Sequence, residues 1–294
     1  MSMMDYDRRR GMGIGARLIP LLLGLVAIGF VMIKGCQDGP FGRKQVVALS
    51  PRQESEMGLQ AFQEVLSTAN TVPRGPLVDA VQQVAQRLIN ATQSEAFLTS
   101  TQTKPIEFEW QVEVINSHER NAFCLPGGKI VVYTGILPIA ETDAGLAVVM
   151  GHEISHALAH HGAERMAQQQ MAQYGMMAAS GSMSDMDPQQ RNQLLRLMNA
   201  GAKFGILSYG RGHETEADHM GLVLMAAAGY DPVESIKFWE RMESSSSGGS
   251  PPEFLSTHPS HQTRVADLTR WLPEVEPIYD AVTDRPPSQP LPAR

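Results

Sequence analysis

Five consecutive residues, His152-Glu153-Ile154-Ser155-His156, carry the most specific chemistry in this 294-residue chain. Positions four apart on a helix return to within about 40° of each other, one turn along, so two imidazoles at that spacing can grip one metal ion. Glu153 sits beside them and can reach a water on that metal, the arrangement of a zinc hydrolase with its general base. With 9 His and 31 acidic residues in the chain, chance supplies about 0.03 such patterns. The motif also lies in an apolar stretch, Ala144 to Ala159, where two His and a Glu need a reason to be buried.

A catalytic zinc keeps three protein ligands and one open position. The longer HExxHxxGxxH pattern fails here, because Ala159 and Gly162 stand where its Gly and last His belong. After Glu164 no Glu occurs until Glu214. Glu214 and Asp218 share a helix face, whereas Glu216 projects about 200° away from Glu214. Glu214 is therefore the candidate third ligand and Asp218 the partner that orients a histidine. The competing reading makes Glu214 only an acid favoured in a helix's first turn.

The elements that must position these residues can be read from periodicity. Ser50-Pro51-Arg52-Gln53 is a capping-box start for a helix to about Thr68. A second helix runs from about Pro76 to Asn90, with Leu77, Val81, Val84, Ala85 and Leu88 on one stripe. From 106 to 115 the period becomes two, predicting a strand with Glu107, Glu109 and Glu113 on its wet face. Asn121–Leu125 and Lys129–Thr134, joined by Pro126-Gly127-Gly128, read as a hairpin that can offer an edge to an extended peptide. Asn121, Ala122 and Phe123 are its candidate substrate-binding residues; simple packing of a small sheet is the alternative. The helical pattern from Thr142 stops at a cap on Gly162. Helices at about 163–178, 189–203, 213–228, 232–243 and 261–271 follow. Asp231-Pro232-Val233-Glu234 reads as another capping box. The Met-rich run 166–183 reads as a core-facing helix or an adaptable flap beside the site. His160, His161, His213, His219 and His261 read as structural or exposed.

Charge divides the chain. Residues 1–35 carry five bases and two acids, and the remainder is net −10. An acidic body with no long basic run excludes a nucleic-acid binder. Cys36 and Cys124 cannot form a disulfide scaffold or a four-cysteine zinc site. Between Arg17 and Lys34 lie sixteen uncharged residues, about 24 Å as a helix, able to span a bilayer if the flanking bases snorkel. The expected layout is a basic tail (1–17), a membrane anchor or signal segment (18–34), a linker (35–49), one helix-dominated α+β domain with a small sheet (50–275) and a disordered Pro-rich tail (276–294). Cleavage after Gly35 and lipidation at Cys36 compete with a retained anchor. The flanking bases mildly favour an extracytoplasmic body.

Further segments carry a resemblance. HEISH with Glu214-Thr215-Glu216-Ala217-Asp218, Asn121-Ala122-Phe123-Cys124-Leu125-Pro126-Gly127-Gly128, Val132-Tyr133-Thr134-Gly135, His161-Gly162-Ala163-Glu164-Arg165, and Ser256-Thr257-His258-Pro259 with Arg264 resemble gluzincin metallopeptidase family forty-eight over about 50–272. Gly210 and His219 depart from its usual Ser and Arg, and Cys124 from a commoner Ala. The resemblance implies a zincin-like fold, one Zn²⁺ on His152, His156 and Glu214, and polypeptide substrates. It also brings His258 to the cleft, as oxyanion stabiliser, as a fourth ligand that keeps the enzyme latent, or as a turn residue without a role. The resulting expectation is a membrane-tethered zinc endopeptidase acting on misfolded or unassembled proteins, on the periplasmic face of a bacterial inner membrane. A zinc-stabilised chaperone or adaptor and a protease with one dedicated substrate are the alternatives.

Overall fold

The computed structural model describes residues 14–184, 186–245, 252–258 and 263–292. Most of the basic tail, the 246–251 part of the Ser/Gly loop, Pro259, Ser260 and His261 lie outside the described residues.

The chain opens with an apolar helix, α1 (Ile14–Gly35), followed by two short strands, β1 (Cys36–Asp38) and β2 (Lys44–Val46), paired antiparallel. The segment read as a linker is thus a folded hairpin, seated on α7 through side chains described below. Next come α2 (Pro51–Thr68), α3 (Pro76–Ala91) and α4 (Glu95–Thr101). The Ser50 capping box forms: Ser50 Oγ accepts from Gln53 N, and Gln53 Oε1 accepts from Ser50 N. On α3 the expected stripe, Leu77, Val81, Val84, Ala85 and Leu88, is buried. The short α4, which periodicity did not single out, starts where Ser94 Oγ accepts from Phe97 N.

Strands β3 (Gln111–Ile115), β4 (Ala122–Leu125) and β5 (Lys129–Tyr133) form a sheet in the order β3-β5-β4, parallel between β3 and β5 and antiparallel between β5 and β4. The predicted strand over 106–115 is paired only from Gln111, because its partner begins at Lys129 and the chain before that turns into the hairpin. Gly127 and Gly128 make that turn at φ +78° and +81°, and a Cβ on Gly128 would lie 2.7 Å from the Trp110 ring.

The helical half comprises α5 (Leu137–Ala140), α6 (Asp143–Leu158), α7 (His161–Ser182), α8 (Pro188–Ala227), α9 (Glu234–Ser244), α10 (Glu253–Thr257) and α11 (Arg264–Ala281). Thr142 Oγ1 caps α6 on Gly145 N. Apolar on nearly every side, α6 is buried along almost its whole length. It ends at Ala159 rather than Gly162: His160 takes a left-handed conformation, φ +56°, and α7 starts directly after it. The two helices expected between 189 and 228 are one. Gly205, Gly210 and Gly212 each weaken helix, yet no proline interrupts the hydrogen-bond ladder, and propagation past them needs no new nucleus. At 231–234 no capping box forms. Asp231 Oδ1 accepts from Val233 N, and α9 starts at Glu234. Past the expected end at 271, α11 continues through Pro273 and Pro277, with Trp271 and Val275 buried.

The described part of the Pro-rich tail is tied to the body by backbone hydrogen bonds, although most of its residues are exposed. Asp143 N donates to Gln289 O, and Leu291 N donates to Glu141 O. The Met-rich helix α7 does not face the core with its methionines: Met177 is 67% exposed. Its small residues pack on α1 instead, where a Cβ on Gly24 would meet Ala178 Cβ at 2.5 Å. Among the described residues α1 is the single helix long and apolar enough to cross a membrane.

Candidate metal centre

Helices α6 and α8 meet at two glycines. A Cβ on Gly221 would lie 3.0 Å from the backbone N of His152, and one on Gly151 would lie 3.3 Å from Gly221 O. This approach brings His152 and His156 on α6 against Glu214 and Asp218 on α8. His258 arrives from the end of α10, its ring stacked on buried Phe254 at 4.7 Å.

The donor atoms converge on one point. His152 Nε2 lies 3.1 Å from His156 Nε2 and 3.4 Å from Glu214 Oε2, and His156 Nε2 lies 3.5 Å from Glu214 Oε1. His258 Nδ1 sits 3.1 and 3.2 Å from the two Glu214 oxygens and 3.4 Å from His152 Nε2. One ligand atom from each of the four residues falls within 4.8 Å of the other three. Donors about 2.0–2.1 Å from a tetrahedral zinc are roughly 3.3 Å apart, so spacing and donor chemistry both fit that ion. His258 is the fourth member of that group.

The surrounding groups fix ring orientation and charge. His152 Nδ1 lies 2.9 Å from Asp218 Oδ1, which leaves Nε2 facing the cluster. Asp218 in turn accepts from Arg264 Nε at 2.6 Å, and Arg264 Nη2 reaches Glu214 Oε2 at 3.2 Å. The Arg264 guanidinium lies over Trp239, 3.9 Å from the ring centroid. Burial resists charge on His152, yet Asp218 and Glu214 raise its pKa to about 10. A site that asks for positive charge in this way suits a cation. Burial would raise the Glu214 carboxyl, but hydrogen bonds from His152 and His258 hold it far below the carboxylate range. His156 is pushed down by burial and by the neighbouring His152 and His161. Glu153 is pushed up by burial, against the pull of His258 and His152. Its Oε1 makes no hydrogen bond among the described residues and faces His258 Nε2 at 3.4 Å.

A cavity of about 390 Å³ opens beside this cluster, lined by Asn121, Ala122 and Phe123 together with Glu153, His156 and His258. The three hairpin residues therefore stand at the cleft, Ala122 and Phe123 on the edge strand β4 and Asn121 just before it. Cys124 is half-buried on the same strand, and burial raises its thiol well above the ordinary range, which makes it a packed residue and a poor nucleophile.

Spacing along the chain does not by itself bring Arg264, His161 or Glu216 to the site. His161 is buried, with Nδ1 2.8 Å from His156 Nδ1 and Nε2 2.7 Å from Glu216 Oε2. Burial, chiefly, lowers His161 to about 4. Glu216 indeed points away from Glu214's face, but toward the far side of His156. His213 is also buried, 3.0 Å from Glu164, while His219 stacks between Phe41 and Trp271 at 4.4 and 4.3 Å. His160 Nδ1 meets Glu54 Oε2 at 2.9 Å. The missing signal was partly local: three charged or imidazole groups within one turn of α7, His160, His161 and Glu164, need buried partners.

Fold and site together define a helix-dominated α+β domain in which two HExxH histidines meet a carboxylate from a second helix. Residues 79–272 match the model of peptidase family M48, and the chain belongs to that family. It is 32% identical to the mitochondrial metalloendopeptidase OMA1 of Saccharomyces cerevisiae over 235 residues, covering 75% of this chain and 62% of the relative. The Bos taurus OMA1 metalloendopeptidase is 30% identical over 286 residues, covering 92% and 53%. The β-barrel assembly-enhancing protease of Escherichia coli is 28% identical over 234 residues, covering 78% and 46%. The chain thus spans about half the length of these relatives.

Proposed function

We propose that the protein is a membrane-anchored zinc endopeptidase that hydrolyses peptide bonds in misfolded or unassembled polypeptides. The observation that carries this reading is the convergence of His152, His156 and Glu214 on one point, with the unpartnered Glu153 Oε1 beside it. Bound zinc supplies a Lewis acid that polarises the scissile carbonyl and acidifies a water. Glu153, its pKa raised by burial, takes the water's proton and delivers it to the departing amine. His152 and His156 present their Nε2 lone pairs. Asp218 and Arg264 hold the orientation of His152 and Glu214.

The edge of β4 lies along the cleft, where an extended substrate can pair with the backbone. Backbone pairing reads conformation more than side chains, which suits clients that share disorder and not sequence. His258 Nδ1 lies 3.1–3.4 Å from the Glu214 oxygens and His152 Nε2, on the side where a substrate's carbonyl and water would enter. This supports the fourth-ligand reading, a latent state that opens when α10 moves.

The anchor reading rests on α1, whose Leu23, Val26 and Ile33 are 65%, 69% and 82% exposed. Apolar side chains of that kind along the outer face of a helix suit an apolar medium. The body is proposed to face the extracytoplasmic side.

The test compares casein cleavage and zinc content for the wild-type chain and Glu153→Gln. Retained zinc with cleavage abolished is expected; equal cleavage by both removes Glu153 from the mechanism. His258→Ala is expected to keep zinc and to raise basal cleavage, and unchanged cleavage would refute latency.

A further inference from the structure

We propose that the zinc ligand His156 is oriented from the hairpin that follows the anchor helix: Arg43 and Glu216 fix His161, and His161 fixes the ring of His156. The inference rests on the metal-site reading above.

The hydrogen-bond logic runs outward from the cluster. His156 turns Nε2 toward His152 and Glu214, so its other nitrogen, Nδ1, is the one that meets His161 Nδ1 at 2.8 Å. Two imidazole nitrogens at that distance share one proton. His161 Nε2 lies 2.7 Å from Glu216 Oε2, an acceptor, so the His161 proton belongs on Nε2. His161 Nδ1 is then a lone pair, and the shared proton belongs to His156 Nδ1. That tautomer leaves the His156 Nε2 lone pair aimed at the metal position. A ligating imidazole commonly donates its other N–H to a carboxylate or carbonyl, which sets its tautomer and basicity. For His152 the Asp218 carboxylate stands 2.9 Å from Nδ1. For His156 the carboxylate stands one imidazole further away.

His161 is held on more than its edge. Its ring stacks on His213 with centroids 4.2 Å apart and planes 14° apart, and His213 Nε2 reaches Glu164 Oε2 at 3.0 Å. Glu164 and Glu216 both lie inside the protein, where two carboxylates need a cation between them. Arg43 is that cation. It makes two bonds to Glu216 (Nε to Oε1 at 2.9 Å, Nη2 to Oε2 at 2.8 Å) and two to Glu164 (Nη1 to Oε1 at 3.0 Å, Nη2 to Oε2 at 2.9 Å). The planar guanidinium fork suits this double engagement, and an ammonium does not. The hairpin is seated by two further contacts: Phe41 stacks on His219, and Val46 N reaches Glu164 Oε1 at 3.4 Å. Without Arg43 the two carboxylates repel, Glu216 leaves His161, and His161 can flip to the tautomer that no longer accepts from His156. Arg43, Glu216 and His161 are positioning residues.

The test measures zinc dissociation constants by competition with a chromophoric chelator, using the full chain in detergent micelles. His161→Leu is expected to bind zinc about 10–100-fold more weakly than wild type. His161→Gln keeps an oxygen that can accept from His156 Nδ1 and is expected to recover most of the loss. Arg43→Ala is expected to weaken zinc binding, with Arg43→Lys between it and wild type. Equal losses in His161→Leu and His161→Gln would assign the effect to packing and overturn the relay. Wild-type affinity in both His161→Leu and Arg43→Ala would overturn it as well. If His161→Leu does not fold, His161→Gln against Arg43→Ala carries the comparison: Gln near wild type with Ala weakened supports the relay, and the reverse order refutes it. A wild-type chain that binds no zinc removes the metal-site reading itself, a result distinct from all of these.

Discussion

Two helix crossings in this protein use the same device in different surroundings. Where α6 meets α8, Gly151 and Gly221 let the backbones approach until a Cβ on Gly221 would lie 3.0 Å from His152 N. Where α1 meets α7, Gly24 sits so close to Ala178 that a Cβ there would meet it at 2.5 Å, and Gly181 faces Pro20 in the same way. The first crossing is surrounded by core: Leu146, Val149, Ile154, Leu222 and Leu224 are buried. The second leaves the outer face of α1 uncovered by protein. Close approach in the interior determines where donor atoms fall, so tenths of an ångström decide chemistry. Close approach at the anchor fixes only which helix stands next to which, a use of small residues common between helices in lipid.

The sharpest way to probe the interior crossing is to remove what it positions. Glu153→Gln is expected to lower casein cleavage by about 10²–10⁴-fold with zinc content unchanged; loss of zinc as well would mean that Glu153 shapes the metal centre. Next in size, Glu214→Ala takes away the only metal donor that α8 contributes to the four-residue group. Its zinc content, read by atomic absorption, should fall well below one per chain, and a stoichiometric content would sink Glu214 as a ligand. Gly221→Ala attacks the crossing itself. The added methyl group should cost about 1–3 kcal/mol as overpacking, seen as a lower Tm, together with weaker zinc binding. The matching change at the other crossing, Gly24→Leu, should leave zinc affinity unchanged within about twofold, since distant sites act independently. Limited proteolysis should nonetheless show α7 more readily cut. If Gly24→Leu weakened zinc binding as much as Gly221→Ala, the two crossings would not be separable.

What could be read from the sequence follows the range of the interactions. The pairing of His152 with His156 is a one-turn relation on α6, and Glu214 with Asp218 a one-turn relation on α8. Both are visible in spacing. The β4–β5 hairpin was visible because Gly127-Gly128 and the alternation around it are local. Arg264 lies 46 residues beyond Asp218, and nothing in its own neighbourhood says that it will be buried against two carboxylates and an indole. Arg43 was hidden more deeply. A segment of Gly, Pro and polar residues reads as a tether until the acids of α7 and α8 are seen to need its charge. The continuous α8 was missed for another reason: three glycines lower helix propensity locally, while cooperativity and packing at both ends act over the whole element.

The hairpin between α1 and α2 also sets a distance. Arg43 enters the body eight residues after α1 ends at Gly35, in the turn of a hairpin whose strands Cys36–Asp38 and Lys44–Val46 are paired. An extended tether of eight residues could reach roughly 26–29 Å and let the body swing. Here the joint is stiff, so for a body anchored through α1 the cleft is held at one height and in one attitude. On the proposed function, such a protease would be mounted like a blade on a bracket: chains would come to it in the thin layer at the membrane surface, and whatever tilted α1 would tilt the cutting edge with it.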